Sequence, residues 1–193
     1  RSAMENKGIQ SNKKMMAEAL FKIKPSPKYK GIGVFALRDI PKGTIICDVE
    51  KITEEFFIPW KDCEKIDPIT QGVMHDFCAQ DKDGYYCPLD LNYLSIPMHM
   101  NHCCNGNVGC DEESDFVAIK NIRKGQELCF DYALVMSNPD YVLKCKCGDR
   151  HCRKVITGND WKDPSFQKKN YRYMSALQRD LVHDMSSEQL FHQ

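Results

Sequence analysis

Asn101-His102-Cys103-Cys104-Asn105-Gly106-Asn107, then Gly125-Gln126-Glu127-Leu128-Cys129-Phe130-Asp131-Tyr132, then Cys145-Lys146-Cys147-Gly148-Asp149-Arg150-His151-Cys152-Arg153: the fold is decided by these three stretches. They are a polar knot dense in cysteine, an apolar strand ending in Asp-Tyr, and a Cys-x-Cys-x4-Cys cluster. Cys145, Cys147 and Cys152 offer three soft ligands, and tetrahedral zinc takes four. A thiolate cage of this kind orders a segment too polar to fold by burial alone. His102 beside Cys103 suggests a nucleophilic dyad, but sequence neighbours rarely face each other, and no third orienting group is identifiable.

Working outward, 193 residues at 42% hydrophobic content suffice for one well-cored domain with an appendage. Lysine plus arginine equals aspartate plus glutamate at 27 each, so net charge alone does not make a polyanion binder. The local runs, Lys7 to Lys30 and Asp111-Glu112-Glu113 with Asp115, read as solvated surface; the alternative is that the acidic run receives a basic peptide. Eleven cysteines, an odd number, without a signal-like stretch or an apolar run long enough for a bilayer, favour a reducing compartment with some thiols on metal. The expectation is an intracellular protein with no membrane partner.

The spacing predicts a short amphipathic helix over 12–22, stopped by Pro25 and Pro27. Gly31-Ile32-Gly33-Val34-Phe35-Ala36-Leu37, a Pro41-Lys42-Gly43 turn and Thr44-Ile45-Ile46-Cys47 read as a hairpin. Gly-x-Gly alone is more often a tight bend than a ligand loop. Residues 54–80 form a partly helical insert broken by Pro59 and Pro68, and Asp83-Gly84 turns into a short strand. Phe116 to Ile119 and Glu127 to Phe130 read as a second hairpin through Asn121 to Gly125. Tyr173, Leu177 and Leu181, four apart, predict one C-terminal helix over 166–185 packing on the body. Many short strands without alternating long helices make the domain mainly β with short helices.

In order and spacing, the opening stretches resemble the Asn-His-Ser-Cys motif, the Glu-Leu-x-Phe-Asp-Tyr motif and the post-SET cysteines of the SET-domain lysine methyltransferases, over about residues 30 to 160. The resemblance implies a SET β-fold of several small sheets with a knot-like active site, a post-SET zinc loop and a C-terminal helix. Its parts are an N-terminal flank or cap at 1–29, the SET domain at 30–134, the post-SET zinc region at 135–161 and a helical tail at 162–193. It implies S-adenosylmethionine held by Gly31, Ile32, Gly33, Val34, Asn101 and His102, with Trp161 either stacking on the adenine or packing the tail. It implies zinc on Cys145, Cys147, Cys152 and Cys104, with Cys103 and Cys110 open as alternatives for the fourth ligand. Tyr132 matches the residue whose hydroxyl points at the methyl and the amine. Phe130 matches the position that sets how many methyl groups fit, and phenylalanine there implies di- or trimethylation.

The chain departs from the family pattern at Cys47-Asp48-Val49-Glu50, where Tyr-x-Gly-Glu is common, so Tyr85 or Tyr86 is the candidate substitute aromatic. Cys103, Gly106 and Lys154 depart as well. The function implied is a protein lysine methyltransferase acting on a histone tail or nucleosome in the nucleus. Compact forms also occur among bacterial effectors that act on host chromatin. The alternative is a non-catalytic, zinc-braced interaction module; a nucleic-acid binder using the N-terminal lysines ranks last, and no direct sequence-specific nucleic-acid binding is expected.

Overall fold

The computed structural model describes residues 19–49 and 55–191. Its strands, in chain order, are β1 (Phe21–Pro25), β2 (Ile32–Ala36), β3 (Ile45–Cys47), β4 (Glu55–Pro59), β5 (Ala79–Gln80), β6 (Gly84–Pro88), β7 (Asn101–His102), β8 (Val108–Cys110), β9 (Phe116–Ala118), β10 (Glu127–Phe130), β11 (Val142–Lys144) and β12 (Val155–Thr157). The helices are α1 (Trp60–Cys63), α2 (Pro68–Phe77), α3 (Pro164–Asn170) and α4 (Ala176–Phe191). The principal sheet runs β1-β2-β10-β8-β9-β3, with β7 also alongside β10; β4-β6-β5 and β11-β12 are separate small sheets. This is the mainly β, many-sheeted architecture expected.

β10 holds the sheet together because it changes partners halfway. Glu127 and Leu128 pair antiparallel with Phe35 and Val34, whereas Cys129 and Phe130 run parallel to Asn101 and His102. Asn107 fills the gap where the ladder breaks. Its side chain donates to the Glu127 carbonyl at 2.8 Å and accepts from the Cys129 amide at 3.0 Å, mimicking a peptide unit. The 101–107 segment lies so close to β10 that a Cβ on Gly106 would stand 2.7 Å from the Phe130 Cα. Only glycine gives that clearance, which explains this departure from the family pattern.

Both expected hairpins are exchanged for one long pairing. β2 joins β10, β3 joins β9, and Ile40 bridges Ile122 between them, so the 32–47 arm lies along the 116–130 arm. The Pro41-Lys42-Gly43 and Arg123-Lys124-Gly125 turns exist, with Gly43 at φ 88° and Gly125 at φ 82°, but each amide after the turn reaches the other arm: Gly43 to Ala118 and Gly125 to Ala36. The exchange puts Val34, Ile40, Ile46, Ala118, Ile122 and Leu128 into one core. Within-arm hairpins across residues 37–44 and 119–126 would leave those apolar faces half covered.

The insert is partly helical as expected, and its β4-β6-β5 sheet with α1 and α2 encloses Cys63, Met74, Cys78, Tyr85 and Cys87. Asp67 caps α2, accepting from the Ile69 and Thr70 amides at 3.1 Å each, with Pro68 in the first turn. Two expectations at the ends change. Of the 12–22 helix, residues 12–18 lie outside the described residues, and Phe21 and Lys22 open β1 instead, where the pairing Phe21 to Ala36 extends the main sheet. The single helix over 166–185 is broken: α3 ends at Asn170, and extended backbone at Met174 drives that side chain into the core with Trp161, Leu134 and Val182. Buried Gln178 of α4 then donates to the Met136 carbonyl at 2.7 Å, which fixes α4 on the body.

Candidate active site and metal centre

The Cys-x-Cys-x4-Cys segment is the loop between β11 and β12. A two-stranded hairpin alone is marginal in water, and this one exposes Val142 at 63% while burying mainly Ile156. What holds it is sulfur. Cys104, Cys145, Cys147 and Cys152 place their Sγ atoms within 4.8 Å of one another, with Cys104 to Cys145 at 3.7 Å and Cys145 to Cys152 at 3.5 Å. Zinc-thiolate bonds of about 2.3 Å imply tetrahedron edges of about 3.8 Å, so the quartet fits zinc. Amides aim at the sulfurs as they do at thiolates: Cys147 N–H at Cys145, Arg153 N–H at Cys104 and Lys154 N–H at Cys152, each at 3.4 Å. Burial pushes the Cys104 thiol up to about 11 and raises Cys145 as well, whereas the Lys154 amide draws Cys152 down to about 7, so a cation is what would keep Cys104 and Cys145 ionised.

Of the three candidates for fourth ligand, Cys104 joins the quartet. Cys103 borders the quartet through Cys147 but is bonded chiefly to Cys129, and Cys110 lies at the Tyr132 cavity described below.

Lys154 has φ 67°, in the left-handed region, so it departs from the family at a position where glycine has a physical use. Lys154→Gly is expected to raise stability by about 0.5–1 kcal/mol, the relief of left-handed strain less the extra freedom of the unfolded chain. Denaturant titration of the zinc-loaded protein checks it; a drop in midpoint would show that the lysine side chain supplies compensating contacts.

The cage is wired to the strand end. His102 Nδ1 accepts from the Tyr132 amide at 3.1 Å, so Nε2 carries the proton and faces Cys104 Sγ at 3.4 Å. Burial, aided by the nearby Arg153 guanidinium, drives His102 down to about 3, so it is a neutral strut. Its partner sulfur is Cys104, not Cys103, so the adjacent dyad does not form. Arg153, next to the last cage cysteine, donates to Asp131 at 2.6 Å, and Asp131 in turn accepts from the Ala133 amide. Burial raises the Asp131 carboxyl while Arg153 opposes that shift.

Tyr132 thus leaves the sheet in a fixed direction. Its hydroxyl donates to the Met100 carbonyl at 2.9 Å, and its ring meets Phe130 and His102 at centroid distances of 5.0 and 5.2 Å. Burial raises the phenol, which stays neutral. Phe130 and Tyr132 form one wall of a largely apolar cavity of about 320 Å³, with Met100, Phe116, Met98 and Tyr86. Of the two candidate substitute aromatics, Tyr86 stands at this cavity. Tyr85 packs edge-on to Trp60 inside the insert.

Gly31, Ile32, Gly33 and Val34 meet Asn101 on the neighbouring side. Asn101 Nδ2 donates to the Ile32 carbonyl at 2.9 Å and to Glu127 Oε1 at 2.8 Å. A Cβ on Gly33 would collide with that Glu127 carboxylate, whereas Gly31, at φ 134°, has open space beside it. The pair is therefore both bend and close approach: the backbone is exposed at Gly31 and Ile32 and buried from Gly33 to Ala36. Val34 is fully buried, its side chain in the core.

Three participants escaped the sequence reading: Glu127, Tyr29, whose hydroxyl donates to the His102 carbonyl at 2.7 Å, and Arg153. Glu127 and Arg153 were inside the quoted motifs, but nothing local marks an acid or a base as a brace. For Trp161, the structure shows the second of its two expected roles. It is 6% exposed and packed with Leu134, Met174 and Val182, so it serves the tail; the inserted Met174 accounts for that. In the acidic run Asp111 closes its own turn by accepting from the Glu113 and Asp115 amides, and Arg179 binds the Asp111 and Glu112 carbonyls, while the Glu112 and Glu113 side chains stay exposed as solvated surface.

Residues 31–133, more than half of the chain, match the family model of the SET domain, and the chain belongs to that family. Among its relatives, the Drosophila melanogaster protein "Histone-lysine N-methyltransferase trr" is 26% identical over 66% of this chain. A Mycosarcoma maydis "Histone-lysine N-methyltransferase, H3 lysine-36 specific" is 29% identical over 70%. This chain spans 5% and 14% of their respective lengths. Among solved structures, KRYPTONITE in complex with mCHG DNA and SAH is similar with a TM-score of 0.47 and 22% identity, over 70% of this chain and 28% of that one.

Proposed function

We propose that this protein is an S-adenosylmethionine-dependent protein lysine N-methyltransferase that acts on a histone tail in the nucleus, whether its own cell's or a host's. The observation that carries the reading is the position of the Tyr132 hydroxyl, tied to the Met100 carbonyl at the wall of the apolar cavity and one strand away from Asn101 and the Gly31–Gly33 backbone. Gly31, Ile32, Gly33, Val34, Asn101 and His102 are the residues that would hold the cofactor, and Cys104, Cys145, Cys147 and Cys152 those that would hold structural zinc. The division into 30–134, 135–161 and 162–193 belongs to the same proposal. Bound there, S-adenosylmethionine supplies an electrophilic methyl group on a sulfonium.

The chain's own contribution is to make the lysine reactive and aligned. A free lysine, with a pKa of about 10.4, is mostly an ammonium at neutral pH. Phe130, Phe116 and Met100 exclude water from the channel, which disfavours the charged form. No strong base is needed beside it, and His102, neutral and engaged at both nitrogens, does not serve as one. Tyr132 and Phe130 fix the line along which the amine approaches, an orientation effect. The departures at Gly106 and Lys154 have backbone explanations, which removes part of the motive for a non-catalytic module.

The test is transfer of labelled methyl to core histones and nucleosomes, with Tyr132→Phe alongside. Label on one histone that disappears in the variant supports the reading; absence of both transfer and cofactor binding overturns it in favour of the interaction module.

Phe130 packs between Phe116 and Tyr132 at centroid distances of 5.4 and 5.0 Å, so a para-hydroxyl added there enters the channel. The parent is expected to yield di- or trimethyllysine and Phe130→Tyr to stop at monomethyllysine, read by mass spectrometry at long times. Monomethyllysine alone from both proteins would remove Phe130 from this role.

A further inference from the structure

A second cavity, of about 230 Å³, shares no lining residue with the Tyr132 cavity. Four cationic side chains from three parts of the chain line it: Lys42 in the turn before β3, Lys120 after β9, and Lys169 and Arg172 around the end of α3. All four residues are exposed, and among the described residues none forms an ion pair within 4 Å. Burial and the nearby Lys169 charge lower the Lys120 ammonium, and Lys120 is held in place by the Asn105 carbonyl at 3.0 Å and side-chain oxygen at 2.6 Å. Four like charges are thus gathered with Asp149, beyond Asn105, as a more distant counter-charge to Lys120. Asp131 also lines the cavity, but its charge is taken by Arg153.

The size and the walls narrow the ligand. The volume is below the roughly 300 Å³ at which pockets begin to enclose a whole small molecule, so the cavity takes one anionic group of something larger. Lysine ammoniums are flexible point charges suited to phosphate oxygens. Among the described lining residues Tyr173 is the one aromatic, and the Arg172 guanidinium lies 4.6 Å over its ring, so stacking of a base there would have to displace a cation. We infer that the cavity ringed by Lys42, Lys120, Lys169 and Arg172 is a phosphate-group site filled by the phosphodiester backbone of duplex DNA lying across this face. Such contacts position a protein on DNA without reading sequence. The inference stands independently of methyl transfer.

The experiment measures binding of the zinc-loaded protein to a short fluorescent DNA duplex by anisotropy across a salt series, with the Lys169→Gln/Arg172→Gln double variant and Lys42→Gln. Counterion release makes log affinity fall linearly with log salt. The double variant is expected to lose about two units of that slope, Lys42→Gln about one, and the double variant at least about tenfold in low-salt affinity. Inorganic phosphate is the second probe. If it displaces nothing up to millimolar levels, the phosphodiester assignment stands. If it binds the parent, not the double variant, and duplex does not bind, the phosphate site stands and its source is a small phosphate ester. Binding of neither probe, or equal binding by parent and variants, overturns the inference. So does loss of zinc from the double variant together with loss of binding, since the cations would then be balancing the thiolate cage.

Discussion

Tyr132→Phe is expected to lower methyl-transfer turnover about 10²- to 10³-fold while S-adenosylmethionine binding survives, a barrier increase of about 3–4 kcal/mol. The hydroxyl is anchored as a donor to the Met100 carbonyl at 2.9 Å, so its lone pairs have one fixed direction in an apolar cavity. There a single oriented dipole counts for more than in water. The ring stays in place without the hydroxyl, because Phe130 and His102 pack against it and the Tyr132 amide bond to His102 is unaffected. The measurement is single-turnover transfer beside calorimetric cofactor binding. Parent-like transfer would take Tyr132 out of the mechanism, and lost cofactor binding would make its role structural.

Removing zinc, by a strong chelator or by Cys147→Ser, is expected to disorder residues 142–157 and reduce turnover by at least about a hundredfold. Structural zinc sites of this kind are worth about 10–16 kcal/mol of binding free energy in small domains, and the β11-β12 hairpin has little apolar burial to replace it. The loss should travel inward by two routes already drawn: from Cys104 through His102 to the Tyr132 amide, and from Cys152 through its neighbour Arg153 to Asp131. Hydrogen exchange should accelerate first at Val142 to Thr157 and next at Asp131 to Leu134, with the 32–47 arm protected. A stripped protein with unchanged exchange and turnover would refute zinc as the brace.

Legibility followed locality. The cysteine trio at 145, 147 and 152, the Asn101-His102 pair and the Tyr132 strand end could be picked out because each is a short run whose residue types are costly to place without a use. The choice of Cys104 over Cys103 came from the family resemblance alone, since adjacent residues on an extended backbone point to opposite faces and only the knot's path decides which meets the hairpin. The two arms showed their strands and turns correctly, yet each turn read as a hairpin because a turn signal does not state whose edge the next strand will meet.

By itself the sequence determined the chemistry available: thiols at metal-ligand spacing, an apolar strand delivering Tyr132, glycines at 31, 33 and 106, and a mainly β chain. The tertiary structure decided the exchange of β2 and β3 onto β10 and β9, the bracing of Asn101 by Glu127, the choice of Tyr86 over Tyr85, the burial of Trp161 in the tail and the gathering of four cations around one cavity. The physical reason is the same in each case. Residue type and short spacing are properties of the chain, whereas partner choice between distant segments is set by which arrangement buries the most apolar surface while leaving most buried polar groups a partner; the Trp161 indole N–H, buried without one, is an exception.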